Sequence, residues 1–281
     1  MYKQSFLLEE RKVRKQLLVA ALFAVSTTAM AATTEVLHQA MGGKVDTTAA
    51  YVTGSVGGID NVTRTESTLN LKVGYGLTDT DQLSFNVDTG TQTTEVASTE
   101  TKQSGMGDLT FGYQGNNGML YYGGNLGFSG TSNGEDRKSG GMSITPFIAA
   151  MTPASTWNVG GKLSYALKME RTIDTGVEQK VTGGNALTLA GFAETNYGPG
   201  WFTAGVSYTP SATQTTEVAS VKVETKLGNR MGINLGGTYN FSETATGLLT
   251  VAMDSYSDSD SDAADGKFTN TNIQLGGRFT F

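Results

Sequence analysis

The chain ends in Ile273-Gln274-Leu275-Gly276-Gly277-Arg278-Phe279-Thr280-Phe281. Ile273, Leu275, Phe279 and Phe281 share one parity. Asn270, Asn272, Gln274, Arg278 and Thr280 share the other. Side chains of a strand alternate between two faces, so this segment is a strand with one apolar face and one polar face. The large apolar face must be covered, by a protein core or by lipid.

The other end of the chain favours lipid. Arg11, Lys12, Arg14 and Lys15 precede a short apolar run from Leu17 to Val25, and Ala29-Met30-Ala31 follows. A basic region, a short apolar stretch and an A-x-A site make a secretory leader, and its apolar run is too short to span a bilayer. Residues 1–31 are therefore expected to be a cleaved signal peptide. Glu9 and Glu10 are unusual in such a leader, and a start at Val13 would leave an ordinary one. A C-terminal strand ending in an aromatic residue, on an exported chain, resembles the last strand of bacterial outer-membrane β-barrels. That resemblance implies an assembly signal at Phe279 and Phe281 and the barrel-assembly machinery as a partner.

Composition narrows the class. No later segment is apolar for 18 residues, so no transmembrane helix is expected. Cysteine is absent, which removes disulfides, thiol nucleophiles and thiolate metal sites. Without residues 1–31, which hold five basic and two acidic residues, the 20 Lys and Arg and 26 Asp and Glu fall to 15 and 24. The resulting formal charge of −9 argues against nucleic acid as a partner.

Alternation between turn signals predicts twelve strands: 46–57, 64–76, 82–92, 104–115, 118–130, 139–151, 156–171, 184–196, 201–211, 221–241, 244–255 and 268–281. Trp157, Val159, Leu163, Tyr165, Leu167 and Met169 face out of the seventh, with Asn158, Lys162, Ser164 and Lys168 facing in. The tenth is the longest and is expected to run through Gly228 unbroken, with Val221, Val223, Leu227 and Met231 on one face. Short turns near 79, 116, 153, 198 and 242 then fall on the periplasmic side. Longer loops near 60, 97, 134, 177, 215 and 260 fall outside, the asymmetry of an outer-membrane barrel. The fold class is all-β, a transmembrane antiparallel up-and-down barrel over residues 46–281. Residues 32–45 form a periplasmic extension or plug. Ten or fourteen strands remain alternatives.

The octapeptide TQTTEVAS occurs at Thr91–Ser98 and again at Thr213–Ser220. The two copies fall at equivalent places in two six-strand halves. A structural origin, by duplication or by convergence in Thr-rich loops, is favoured over a shared surface epitope.

A twelve-stranded barrel is wide enough for a narrow pore lined by side chains. The inward set supplies Lys72, Asp108, Lys162, Arg230 and Arg278, with Gln114, Asn158 and Asn234. Lys72, Lys162 and Arg278 belong to the periplasmic half. A ring of like charge in a narrow lumen selects solutes by sign, so a basic constriction favouring anions is the sharp expectation. Pairing of these cations with inward carboxylates is the bland one. Asp254, Asp258, Asp260, Asp262 and Asp265 fall in the last outer loop. Asp258, Asp260 and Asp262 alternate with serine as calcium ligands do, but Ala263 stands where the turn glycine belongs and no glutamate closes the loop. A solvated acidic loop is the better reading, so no metal and no cofactor are expected. His38 is the one histidine and precedes the first strand, so no Ser-His-Asp site can be assembled and no enzyme is expected.

Ser104-Gly105-Met106-Gly107-Asp108-Leu109, opening a strand, resembles the outer-membrane barrels grouped as meta-pathway phenol-degradation-like proteins. Tyr75-Gly76-Leu77-Thr78-Asp79 and Tyr239-Asn240-Phe241-Ser242 are similar to that family's aromatic-turn-strand units. The likeness is diffuse over 64–281 and implies an outer-membrane channel for hydrophobic or aromatic solutes. Two functions are weighed. One is a passive channel for small solutes, with membrane lipid as its surroundings. The other is a closed barrel acting through its outer loops, as an adhesin would.

Overall fold

The computed structural model describes residues 36–281 apart from 41, 58–61, 97–98, 130–136, 138–139, 175–176 and 258–267. The expected signal peptide and Asp258, Asp260, Asp262 and Asp265 lie outside the described residues.

Among the described residues seventeen strands form in chain order. They begin with β1 (Val45–Gly57), β2 (Val62–Gly76), β3 (Asp81–Val96), β4 (Thr99–Met106), β5 (Leu109–Asn117) and β6 (Leu120–Ser129). Next come β7 (Gly141–Ala154), β8 (Trp157–Lys168), β9 (Arg171–Asp174), β10 (Glu178–Gly183), β11 (Ala186–Asn196) and β12 (Trp201–Thr209). The last are β13 (Thr213–Val218), β14 (Val221–Lys226), β15 (Asn229–Asn240), β16 (Ala245–Ser257) and β17 (Phe268–Thr280). Thirteen join one antiparallel sheet that closes on itself, because β1 pairs with both β17 and β2, and β2 pairs with β3. β4 and β5 both lie along β3 and make a single stave, so the barrel has twelve. Closure satisfies every edge, as lipid requires. Phe281 completes it by exchanging backbone hydrogen bonds with Val45 at 3.1 and 2.9 Å.

The faces are the reverse of a soluble protein's. Leu69, Leu71, Phe111, Leu163, Ile233, Leu235, Ile273 and Leu275 are exposed on the outside, while Gln82, Gln92, Gln103, Thr203, Thr238 and Thr250 are buried inside. This is the apolar-out, polar-in alternation of a barrel in lipid. Connections at the end holding the C-terminus are short, 77–80 between β2 and β3 and 155–156 between β7 and β8 among them.

Three expectations are corrected. The fourth predicted strand breaks at Gly107-Asp108. Thr89 pairs with Met106 and Asn86 with Thr110, so four steps on one side oppose three on the other, a β-bulge. Pro153 lies in β7, opposite Asn158, and the turn follows it at Ser155, which has φ 61°. The tenth predicted strand is two strands. β14 pairs with β13 and β15 with β12, and Gly228 between them has φ +79°. The chain keeps its direction through the break, so the count of twelve survives.

β9, β10, β13 and β14 form a second, four-stranded sheet, built where long outer loops are expected. Each continues a barrel strand outward. Its buried face carries Arg171, Ile173, Gln179, Val181, Gln214 and Thr216. Glu178, Lys180 and Lys222 are exposed on the other. Apolar residues that face out in the barrel therefore give way above it to polar residues facing out. Crossing from lipid to water inverts which side needs covering, and the strands flip parity to follow.

Candidate functional site: the lumen

Among the described residues, two groups of charged side chains line the interior. The periplasmic group is the one expected from parity. Thr48 pairs with Lys72 on one side and Arg278 on the other, which puts both cations in one row. Lys72 lies near enough to Arg278 and to Lys162 for mutual repulsion, and near enough to Asp46 for attraction. Lys162 Nζ sits 4.3 Å from the centroid of the inward Phe147 ring, a cation–π contact. Carboxylates share this half: Asp46 is buried, and Glu194 is bonded to Asn158 at 3.4 Å.

The segment before β1 occupies the mouth below. Gln39 Nε2 donates to the carbonyls of Thr80 at 3.1 Å and Gln114 at 2.9 Å, and Gln114 Nε2 donates to Leu37 O at 3.1 Å. Ala40 N donates to Gln82 Oε1, and Ala40 is buried. His38 Nε2 meets Asp46 Oδ2 at 2.7 Å, which ties it to the barrel wall.

The outer group is larger than the sequence reading assembled. Arg137, from the connection between β6 and β7, reaches Glu66 on β2 at 2.7 Å and Asp88 on β3 at 2.5 Å. Its side chain is 6% exposed. Arg64 lies 3.8 Å from Glu66. Around the wall, Arg230 donates to Thr209 Oγ1 at 3.3 Å and interacts electrostatically with Asp254 and Tyr256. Asp254 was expected in the last outer loop; it is a lumen residue of β16. Tyr256 stacks on Phe268, with centroids 4.2 Å apart and planes 4° apart. Asp108 sits on the bulge and attracts Arg171 of the outer sheet. Burial pushes the Arg171 guanidinium down to about 10, which leaves it charged at neutral pH.

Of the five lumen candidates, Lys72, Lys162 and Arg278 come together in one half. Arg230 and Asp108 belong to the other. Arg64, Glu66 and Asp88 went unremarked in the sequence, although they share the inward parity of Lys72. Arg137 carries no periodic signal and could not be placed by pattern. Phe279 and Phe281 lie exposed on the outer wall.

The repeated octapeptide has a structural use. In each copy the glutamine and second-following threonine are buried, as Gln92 with Thr94 and Gln214 with Thr216. Each glutamine accepts a hydrogen bond from a buried arginine, Gln92 from Arg64 and Gln214 from Arg171 at 2.7 Å. Each copy also rises into a hairpin tip, closed by the pairs Val96 with Thr99 and Val218 with Val221.

The architecture is that of an outer-membrane β-barrel, and a solved structure of that class shares it. An outer-membrane channel of Pseudomonas putida F1 matches with TM-score 0.67 at 12% identity, over 89% of this chain and 98% of that one. The TodX monoaromatic hydrocarbon channel (a deletion mutant) matches with TM-score 0.47 at 8% identity, over 85% and 90%. The NanC porin matches with TM-score 0.44 at 14% identity, over 82% and 98%. At 12% identity the likeness to the Pseudomonas putida channel is one of fold. No family model matches the chain. No curated protein matches it either.

Proposed function

We propose that this barrel is a passive outer-membrane channel for small solutes, with a basic lower lumen that favours anions. The observation that carries the reading is the proximity of Lys72 to both Lys162 and Arg278 in one half of a polar lumen. Unlike charges in the outer half are distributed in opposite-sign clusters, which cancel at a distance. The lower cations outnumber Asp46 and Glu194 there, and Asp46 is shared with His38. Field lines from like charges in a narrow, low-dielectric bore add.

Residues 36–40 act in this reading as a plug at the periplasmic mouth, hydrogen-bonded to wall residues Gln82, Gln114 and Asn116. The leader is removed and the C-terminal aromatics guide assembly. Aromatic solutes, implied by the resemblance of the Ser104–Leu109 segment, are the second solute class; an aromatic carboxylate would satisfy both implications.

The test is the reversal potential in a planar bilayer under a salt gradient, for the wild type and for Lys162→Glu and Arg230→Glu. The expected result is anion preference that Lys162→Glu reduces more than Arg230→Glu, because Asp254 already offsets Arg230. Cation preference in the wild type would overturn the basic constriction. A second reading, a closed barrel working through its outer surface, is favoured by one observation. Arg137 crosses into the lumen from outside while residues 36–40 fill the mouth below. Absence of any conductance from folded protein would support it.

A further inference from the structure

The two copies of the octapeptide build hairpins that differ in one cross-strand pair. In the outer sheet Glu217 of β13 stands opposite Lys222 of β14, and their charged ends lie 3.7 Å apart. The equivalent residue of the first copy is Glu95 of β3, and opposite it on β4 stands Glu100. Both carboxylates are exposed, and like charges directly across two strands repel. Among the described residues Glu95, Glu100 and the nearby Lys102 take part in no ion pair. The second hairpin satisfies its glutamate internally; the first does not.

The strand that carries Glu100 is also an open edge. Among the described residues β4 pairs with β3 alone. Gly107 N donates to Asp88 O at 2.9 Å, and in that register the odd-numbered residues of β4 bond to β3. The backbone N–H and C=O groups of Glu100 and Lys102 therefore point away from it. Residues 99–102 are exposed at the outer tip. Buried Gln103 meets Gln92 at 3.1 Å and fastens the strand to the wall below them. A held, exposed edge of this kind is a template for another strand.

We propose that this edge pairs with the same edge of a second copy of the chain, carried by a facing membrane. Glu100-Thr101-Lys102 is self-complementary. In an antiparallel pair about a two-fold axis at Thr101, Glu100 of each copy stands opposite Lys102 of the other. The register makes these the hydrogen-bonded pairs, so the outward backbone groups are satisfied together with the charges. Each Lys102 brings the cation that Glu95 and Glu100 lack. The two-fold axis is normal to the sheet, and the sheet stands along the barrel axis. The axis therefore lies in the membrane plane, and the second barrel points the opposite way, out of an apposed membrane. Glu-Thr-Lys recurs at Glu224–Lys226, but there it lies at the foot of β14, away from the hairpin tip. The contact does not depend on whether the lumen conducts.

The test is charge reversal at the edge. Proteoliposomes holding the barrel, its folding checked by heat-modifiable gel mobility, are followed by turbidity. Wild-type vesicles are expected to clump. Glu100→Lys and Lys102→Glu should each abolish clumping, because each sets like charges across the two-fold axis. Vesicles of the two variants mixed together should clump, and so should vesicles of the double variant Glu100→Lys/Lys102→Glu alone. Thr101→Cys gives a second readout in detergent, where orientation is free. Opposed residues at a non-hydrogen-bonded position have Cα atoms about 4.5 Å apart, within disulfide reach. The chain has no other cysteine, so oxidation should give a linked dimer, and adding Lys102→Glu should suppress it. Dispersed wild-type vesicles with no linked dimer would overturn the contact. So would clumping that ignores the charge reversals, or a double variant that fails to restore it. Clumping onto vesicles without the barrel would make lipid the partner and would also overturn it. Failure of the channel reading shows differently, as absent conductance from protein that still clumps vesicles.

Discussion

Single side chains decide how the charged interior is tolerated. Arg171 and Arg64 are buried guanidiniums, and each has a glutamine from one copy of the same octapeptide to receive its hydrogen bond. Gln214→Leu keeps the size and removes the acceptor, so it should destabilise the folded barrel by about 1–3 kcal/mol, the cost of a buried donor left unmade. Urea unfolding in lipid vesicles would measure this, and Gln92→Leu should behave alike. An unchanged midpoint would leave the repeat as a relic without present use. Arg137 offers a second prediction at this scale. It is shared by Glu66 and Asp88, so Arg137→Ala leaves two carboxylates facing the lumen. The reversal potential should move toward cations. Parity in the sequence placed Lys72, Lys162, Arg230 and Arg278 inward, and it would have placed Arg64 there too. It missed Arg137 because a loop residue has no period, and its destination depends on where the loop folds.

At the level of elements, the alternation of apolar and polar residues made most barrel strands legible, including the terminal one. It failed where strands leave the membrane. Val221, Val223, Leu227 and Met231 share sequence parity, yet Val223 pairs with the buried Thr216 while Met231 is exposed to lipid. Continuous parity hid an inversion of faces at Gly228, since a flip of the chain moves every later side chain to the other face. The glycine was the available signal. Gly228→Val forces a β-branched residue into φ +79° and should cost roughly 1–2 kcal/mol. That cost should fall on the outer sheet. Amide exchange should quicken in β13 and β14 while β15 stays protected. Equal loss in both would mean that the two sheets form one cooperative unit.

For the whole molecule, polar interior, apolar exterior and closure of β1 on β17 through Val45 and Phe281 define one structure whose outer wall suits lipid. What passes through depends on its two ends. The lower end holds residues 36–40 by hydrogen bonds to Thr80, Gln82 and Gln114. Deleting residues 36–40 should raise conductance without changing the strand content seen by circular dichroism. The most direct test of the account is single-channel recording of the refolded mature protein, its folding verified by heat-modifiable gel mobility, in a bilayer separating unequal salt concentrations. Discrete steps with a reversal potential on the anion side are the predicted result. A folded protein that stays silent even after residues 36–40 are removed would contradict it.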